Sequence, residues 1–219
     1  MKRSLGWIAA ALLALGCSDS RRYDQAVGVL IDVSGTYADQ KQQVVNIIKR
    51  DVLPAMVPGD TLLVVRIDSK SYDPENIEAL LTLDHRPSRA QAQKLGIARK
   101  LDAFASNGAR SRLTDIQGAM MLSSEYLREI GSGSQVMLVF SDLLEELPPG
   151  TVREMKPGEL DGIHVVAMNV KRLYDDRSDP EVFRARLASW ETRLARAGAA
   201  EWRVIQDSTH LSGYLESIR

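Results

Sequence analysis

Cysteine is almost missing from this chain. Cys17 stands alone among 219 residues, which excludes an intramolecular disulfide framework and any multi-cysteine zinc site. Histidine is also scarce, and His85, His164 and His210 are scattered; His164 falls in a strand, with no partner in sequence to suggest a proton relay. Neither sign of charge prevails. The 28 basic and 29 acidic side chains leave a net charge of −1, so there is no general drive toward DNA, RNA or anionic lipid. The arginines near 172–186 interleave with Asp175, Asp176, Asp179 and Glu181, a mixed surface rather than a nucleic-acid track. No apolar run approaches the ~20 residues that span a bilayer. Glycine-rich phosphate loops and the Gly-x-Ser-x-Gly elbow are absent. What remains is ordinary globular usage, 44% hydrophobic and 26% charged, in a length suited to one domain.

The first residues are an address. Met1-Lys2-Arg3 precedes an apolar run from Leu5 to Leu15, then Gly16-Cys17. Leu13-Ala14-Leu15-Gly16-Cys17 resembles a bacterial lipoprotein box, in which the signal is cut before a Cys that is then acylated. The plainer alternative is a secretory signal with an incidental Cys. The resemblance implies a signal peptide over 1–16, a lipidated Cys17 with a short tether over 17–24, and a folded domain over 25–219. Ser18 after the Cys resembles outer-membrane sorting in enteric-type bacteria. The expected location is therefore the cell envelope, on the periplasmic face of a membrane, with the outer membrane favoured. Several acyl chains would hold the protein firmly there, since one chain alone is marginal.

From residue 26 onward, strands alternate with helices. The runs 26–31, 61–67, 135–140 and 163–168 are nearly all apolar, as expected of strands covered on both faces. Residues 78–83 read as a shorter strand and 201–206 as a last one. Helical periodicity marks 38–56, 88–104, 115–130, 180–197 and 211–218, with Ser88 a plausible N-cap. The second and third strands have no long helix between them, which points to a hairpin and an antiparallel edge strand. The expected fold is α/β: a doubly wound, mostly parallel six-stranded sheet with one antiparallel edge strand and helices on both faces.

In such a sheet, ligands bind beyond the C-terminal ends of the strands. Asp32-Val33-Ser34-Gly35-Thr36 follows the first strand, Ser141-Asp142 follows the fourth, and Leu113-Thr114-Asp115 precedes a central helix. Oxygen donors without His or Cys suit a hard cation such as Mg²⁺ or Mn²⁺. Helix capping is the plain alternative for Thr36 and Thr114, and a hydroxyl can serve both roles. Glu145 and Glu146 could add negative potential near the metal or repel an acidic ligand, but read first as a solvated loop or helix start. Tyr37 either lines the surface or packs at the helix start, and Asp68 reads as a turn residue.

The set Asp32, Ser34, Thr36, Thr114 and Asp142 resembles the metal-ion-dependent adhesion site of von Willebrand factor A-type domains. The family pattern is Asp-x-Ser-x-Ser/Thr after the first strand, a later Thr, and an Asp after the fourth strand. The resemblance implies that the three hydroxyls bind the metal directly. The two aspartates act largely through water, and one coordination place is left for an acidic side chain of a protein partner. The implied function is lipid-anchored capture of that partner, without catalysis and without nucleic acid. A metal-dependent phosphoester hydrolase on a similar sheet is the rival. Against it, Asp32-Val33-Ser34 lacks the second carboxylate of Asp-x-Asp phosphatases, and no base stands beside Ser34. A third possibility is a domain that binds metal only for stability.

Overall fold

The structure is a computed structural model that describes residues 22–35, 37–108 and 110–219. Its strands are β1 (Gln25–Asp32), β2 (Thr61–Ile67), β3 (Ile77–Thr82), β4 (Ser134–Phe140), β5 (Ile163–Met168) and β6 (Glu201–Ile205). They form one six-stranded sheet in the order β3-β2-β1-β4-β5-β6. All pairings are parallel except β2 with β3, the expected hairpin at the edge.

The strands are apolar throughout because both faces are covered. Val27, Val29 and Ile31 of β1 pack into one layer with Leu62, Val64, Val136, Leu138 and Phe140. Helices α1 (Lys41–Ile47), α3 (Pro87–Ser106) and α7 (Leu211–Ser217) close that side. Ala26 and Leu30 point the other way, with Leu63, Val65, Met137 and Val139, toward α4 (Ile116–Ile130) and α6 (Pro180–Arg196). The period-two alternation of β1 thus feeds two cores from one strand. A fully buried Val or Leu contributes roughly 1.5–3 kcal/mol, so these layers supply most of the driving force.

The helices differ from the sequence reading in several places. The stretch 38–56 is not one regular helix. A 3-10 turn (Ala38–Gln40) leads into α1, a π-helical stretch follows (Ile48–Val52), and α2 (Leu53–Ala55) ends it. Leu53 N donates to the Ile48 carbonyl, five residues back, just ahead of Pro54, which has no N–H to donate. α3 begins at Pro87 rather than Ser88, because proline is pre-set for the first helical position and its missing N–H is no loss there. A short helix, α5 (Tyr174–Ser178), was not foreseen. It caps on Asp176, which is 1% exposed and ion-paired to Arg186. That part of the expected mixed surface is therefore internal. Among the described residues, no helix is long and apolar enough to cross a membrane.

Candidate metal centre

The strand order reverses between β1 and β4, and the candidate residues gather at that switch point. Register does the first part of the work. Ile31 lies opposite Phe140, so the next residues, Asp32 and Ser141, fall side by side. The Ser141 hydroxyl donates to Asp32 Oδ2 at 2.7 Å, and the Ser34 N–H donates to Asp32 Oδ1 at 2.7 Å. Asp142 comes next along the chain, and its Oδ1 accepts from Leu144 N at 2.9 Å.

The segment 111–115 is fastened to three strand ends. Ser111 N donates to the Val33 carbonyl at 2.9 Å, beyond β1. Asp115 N donates to the Asp68 carbonyl at 2.7 Å, beyond β2. Thr114 and Glu146 exchange backbone hydrogen bonds of 2.8 and 2.9 Å, beyond β4. These bonds bring Thr114 toward Ser34. Both line a cavity of about 200 Å³ with Gly35, Arg112, Leu144 and Glu146.

Asp32, Ser34, Thr114 and Asp142 are all buried, at 0%, 5%, 4% and 1% exposure. Thr36 and Cys17 lie outside the described residues, as does the whole segment 1–21. Thr114 does not cap α4. That role belongs to Asp115, whose Oδ1 accepts from Gly118 N at 2.8 Å, so the helix starts at Ile116. The capping alternative for Thr114 is thereby removed.

Two acidic groups meet the N–H end of α4, as the helix dipole favours. Asp115 is held by Arg153 at 3.1 Å. Glu145 accepts from Gln117 N at 2.9 Å and from Gln117 Nε2 at 2.7 Å, with Arg193 3.3 Å away. Glu145 is thus packed, not a solvated loop residue, since its side chain is only 11% exposed. Burial pushes its carboxyl up against the Gln117 hydrogen bonds and the Arg193 charge. Glu146 is the exposed member of the pair and lines the cavity.

The end of β4 is braced. Leu143 adopts φ +62°, the left-handed region that a side chain enters at a cost. Its N–H donates to Ser141 Oγ at 3.0 Å, and its carbonyl accepts from the buried Trp190 indole at 2.9 Å. Tyr37 is wholly buried rather than surface-lining, and its hydroxyl donates to the Asn169 carbonyl at 3.1 Å. Asp68 is the turn residue expected, accepting from Lys70 N at 2.8 Å. His164 does have a partner. Its Nδ1 lies 3.2 Å from Glu201 Oε2 on the neighbouring strand, far in sequence and so invisible there.

Asp32 shows what the site lacks. Among the described residues no cationic side chain pairs with it, and burial pushes its carboxyl up to about 6. Hydrogen bonds from Ser141 and Ser34 oppose that rise, while the neighbouring Asp142 charge adds to it. A buried carboxylate without a counter-ion, beside hydroxyls converging on a cavity, fits a hard divalent cation. Among the described residues no group of three or more His, Cys, Asp or Glu side chains is placed to hold a metal ion, so any donor set here would have to include hydroxyls. Ser141 joins it as a support the motif reading named but did not use. The signal was the parallel register, which sets it beside Asp32.

No family model and no curated protein matches the sequence. Solved structures do resemble it in fold. A mutant of the PilB minor pilin from Streptococcus sanguinis aligns at TM-score 0.52 and 9% identity, over 89% of this chain and 60% of that one. A von Willebrand factor type A protein from Catenulispora acidiphila aligns at 0.48 and 10%, over 89% and 41%. An aerotolerance-related membrane protein from Bacteroides fragilis aligns at 0.49 and 12%, over 89% and 98%. The chain thus spans about half the length of the first two.

Proposed function

We propose that this chain is a von Willebrand factor A-type module, held on the cell envelope by an acylated Cys17. It captures a protein partner through Mg²⁺ or Mn²⁺ at Asp32, Ser34, Thr36, Thr114 and Asp142. The supporting observation is the convergence of Ser34 and Thr114 on one cavity, with the uncompensated Asp32 carboxylate directly behind. The hydroxyls would touch the ion, and the buried aspartates would balance its charge. Neutral donors leave the ion electrophilic, so an acidic side chain of a partner completes its shell. The tether would join the N-terminal end of β1 and leave the site at the opposite end of the strand, away from the anchor, with residues 1–16 removed, 17–24 as a tether and 25–219 as the binding domain.

The hydrolase reading needs a nucleophile with a base beside it. His164 lies near the N-terminal end of β5, opposite Val136 and away from Ser34, and is engaged by Glu201 of the edge strand β6, so it does not supply that base, which favours binding over catalysis. Calorimetric titration of the full chain in non-ionic detergent with Mg²⁺ and Mn²⁺ tests the proposal. Saturable binding that Asp32→Ala and Asp142→Ala both abolish supports it. A folded parent that takes up neither ion overturns metal-mediated capture. Metal binding that raises thermal stability, with no partner captured in its presence, would favour a purely structural ion.

A further inference from the structure

A second cavity, of about 480 Å³, lies beside the candidate metal centre. Arg66, Arg110 and Arg112 line it with Asp68, Ser69 and Ser111. Arg112 lines both cavities, so the two meet at its side chain. The three guanidiniums are not equivalent. Arg66 is spent: it donates to Glu78 at 2.9 Å and to Asn76 at 2.8 Å, with Asp68 3.5 Å away. Arg110 pairs with Asp39, but the two side chains are 59% and 67% exposed. Such a surface pair is worth roughly 0–1 kcal/mol and exchanges readily for another anion. Arg112 is exposed and has no carboxylate within ion-pair distance among the described residues. Two available guanidiniums therefore face one pocket, two residues apart. Their segment is pinned by the Ser111 N–H to Val33 carbonyl bond of 2.9 Å.

We infer that Arg110 and Arg112 form a subsite for a carboxylate of an acidic peptide segment, next to the metal centre. A planar guanidinium fork matches a carboxylate, and the pocket lies within the ~300–1,000 Å³ range of ligand sites. Asp68 in the wall opposes a doubly charged phosphate more than a singly charged carboxylate. The subsite deepens the proposed function and rests on it only for the neighbouring carboxylate that reaches the metal. The partner segment then presents two acidic side chains, one to each cavity. Glu146 lines the smaller cavity and repels acid there until a cation is bound, whereas the arginine subsite attracts acid with or without metal.

The test is fluorescence anisotropy of a fluorescein-labelled hexaglutamate peptide with the full chain in non-ionic detergent, at low ionic strength. In EDTA, Arg110→Gln/Arg112→Gln weakens binding about fivefold or more, as expected for two exposed charge contacts. The exposed pair Arg99→Gln/Arg177→Gln removes the same charge elsewhere and leaves binding as in the parent. Thermal melts that match the parent show that each variant is folded. Adding Mg²⁺ then reads the metal centre separately. If it tightens nothing while the arginine effect persists in EDTA, metal capture fails and the subsite stands. The inference is overturned if the parent does not bind the peptide in EDTA, or if the arginine variant binds like the parent. It is also overturned if inorganic phosphate displaces the peptide at a lower concentration than free peptide does.

Discussion

Replacing Asp32 with asparagine should make the metal-free protein more stable at neutral pH. Burial raises the Asp32 carboxyl from 3.8 to about 6, so the folded state holds its proton more tightly than the unfolded chain. Stability from that proton is complete below about pH 4 and is lost as pH rises toward 6. A shift of about two units corresponds to roughly 3 kcal/mol lost by pH 7. Asparagine avoids the charge. Its carbonyl keeps the Ser34 N–H bond, but its amide must turn the Ser141 hydroxyl around, which costs on the order of 1–2 kcal/mol. A net gain of about 1–2 kcal/mol remains, or a rise of roughly 2–8 °C in Tm for a chain of this size. Thermal melts in EDTA at pH 7 and at pH 4 check it. The variant should exceed the parent at pH 7, the two curves should cross as pH falls through about 6 to 5, the variant should lie below the parent at pH 4, and Mg²⁺ should raise only the parent. A variant less stable than the parent at pH 7 in EDTA would refute the account of Asp32 as an uncompensated charge.

Three further outcomes follow from the surroundings. Gly118→Ala should cost about 2 kcal/mol or more in urea denaturation, because the new Cβ would lie 2.3 Å from Asp115 Oδ2; Gly96→Ala, with nothing within 4 Å, should instead stabilise by about 0.5–1 kcal/mol. Trp190→Phe removes the donor to the Leu143 carbonyl and should cost about 1–3 kcal/mol while weakening Mg²⁺ affinity by calorimetry, because Leu143 follows Asp142 directly. Arg219→Ala should lower stability by about 3 kcal/mol in urea, since Arg219 holds the fully buried Asp60 at 2.7 and 2.8 Å.

The sheet was legible because its strands are buried on both faces. An unbroken run such as 135–140 admits few other readings, and the missing helix between β2 and β3 gave away the hairpin. The nearness of Asp32, Ser34 and Asp142 was legible for a related reason: each follows a strand that borders the switch point, whereas Thr114 precedes α4 and is brought in by backbone bonds. What escaped were pairings that only register or tertiary packing creates. Ser141 beside Asp32, His164 beside Glu201 and Trp190 beneath Leu143 are separated by 109, 37 and 47 residues. Asp115 escaped differently: the cap and the candidate hydroxyl ligand sit in adjacent positions, and sequence alone does not assign which residue caps α4.

The fastening of residues 111–115 to the ends of β1, β2 and β4 also governs how the site would tolerate different ions. Asp32 is set by the sheet register, and Asp142 follows on the braced end of β4. Neither can follow the radius of a cation without shifting a strand. Thr114 belongs to a connecting segment, and Ser34 to a turn beside the exposed Gly35. With an ion bound, discrimination between a small ion and a larger one would fall to the hydroxyl side. Because one short segment ties three loops together, an ion that draws Thr114 inward pulls on the rim of the arginine cavity at the same time. The choice of metal and the grip on an acidic segment would then be a single mechanical quantity, not two independent ones.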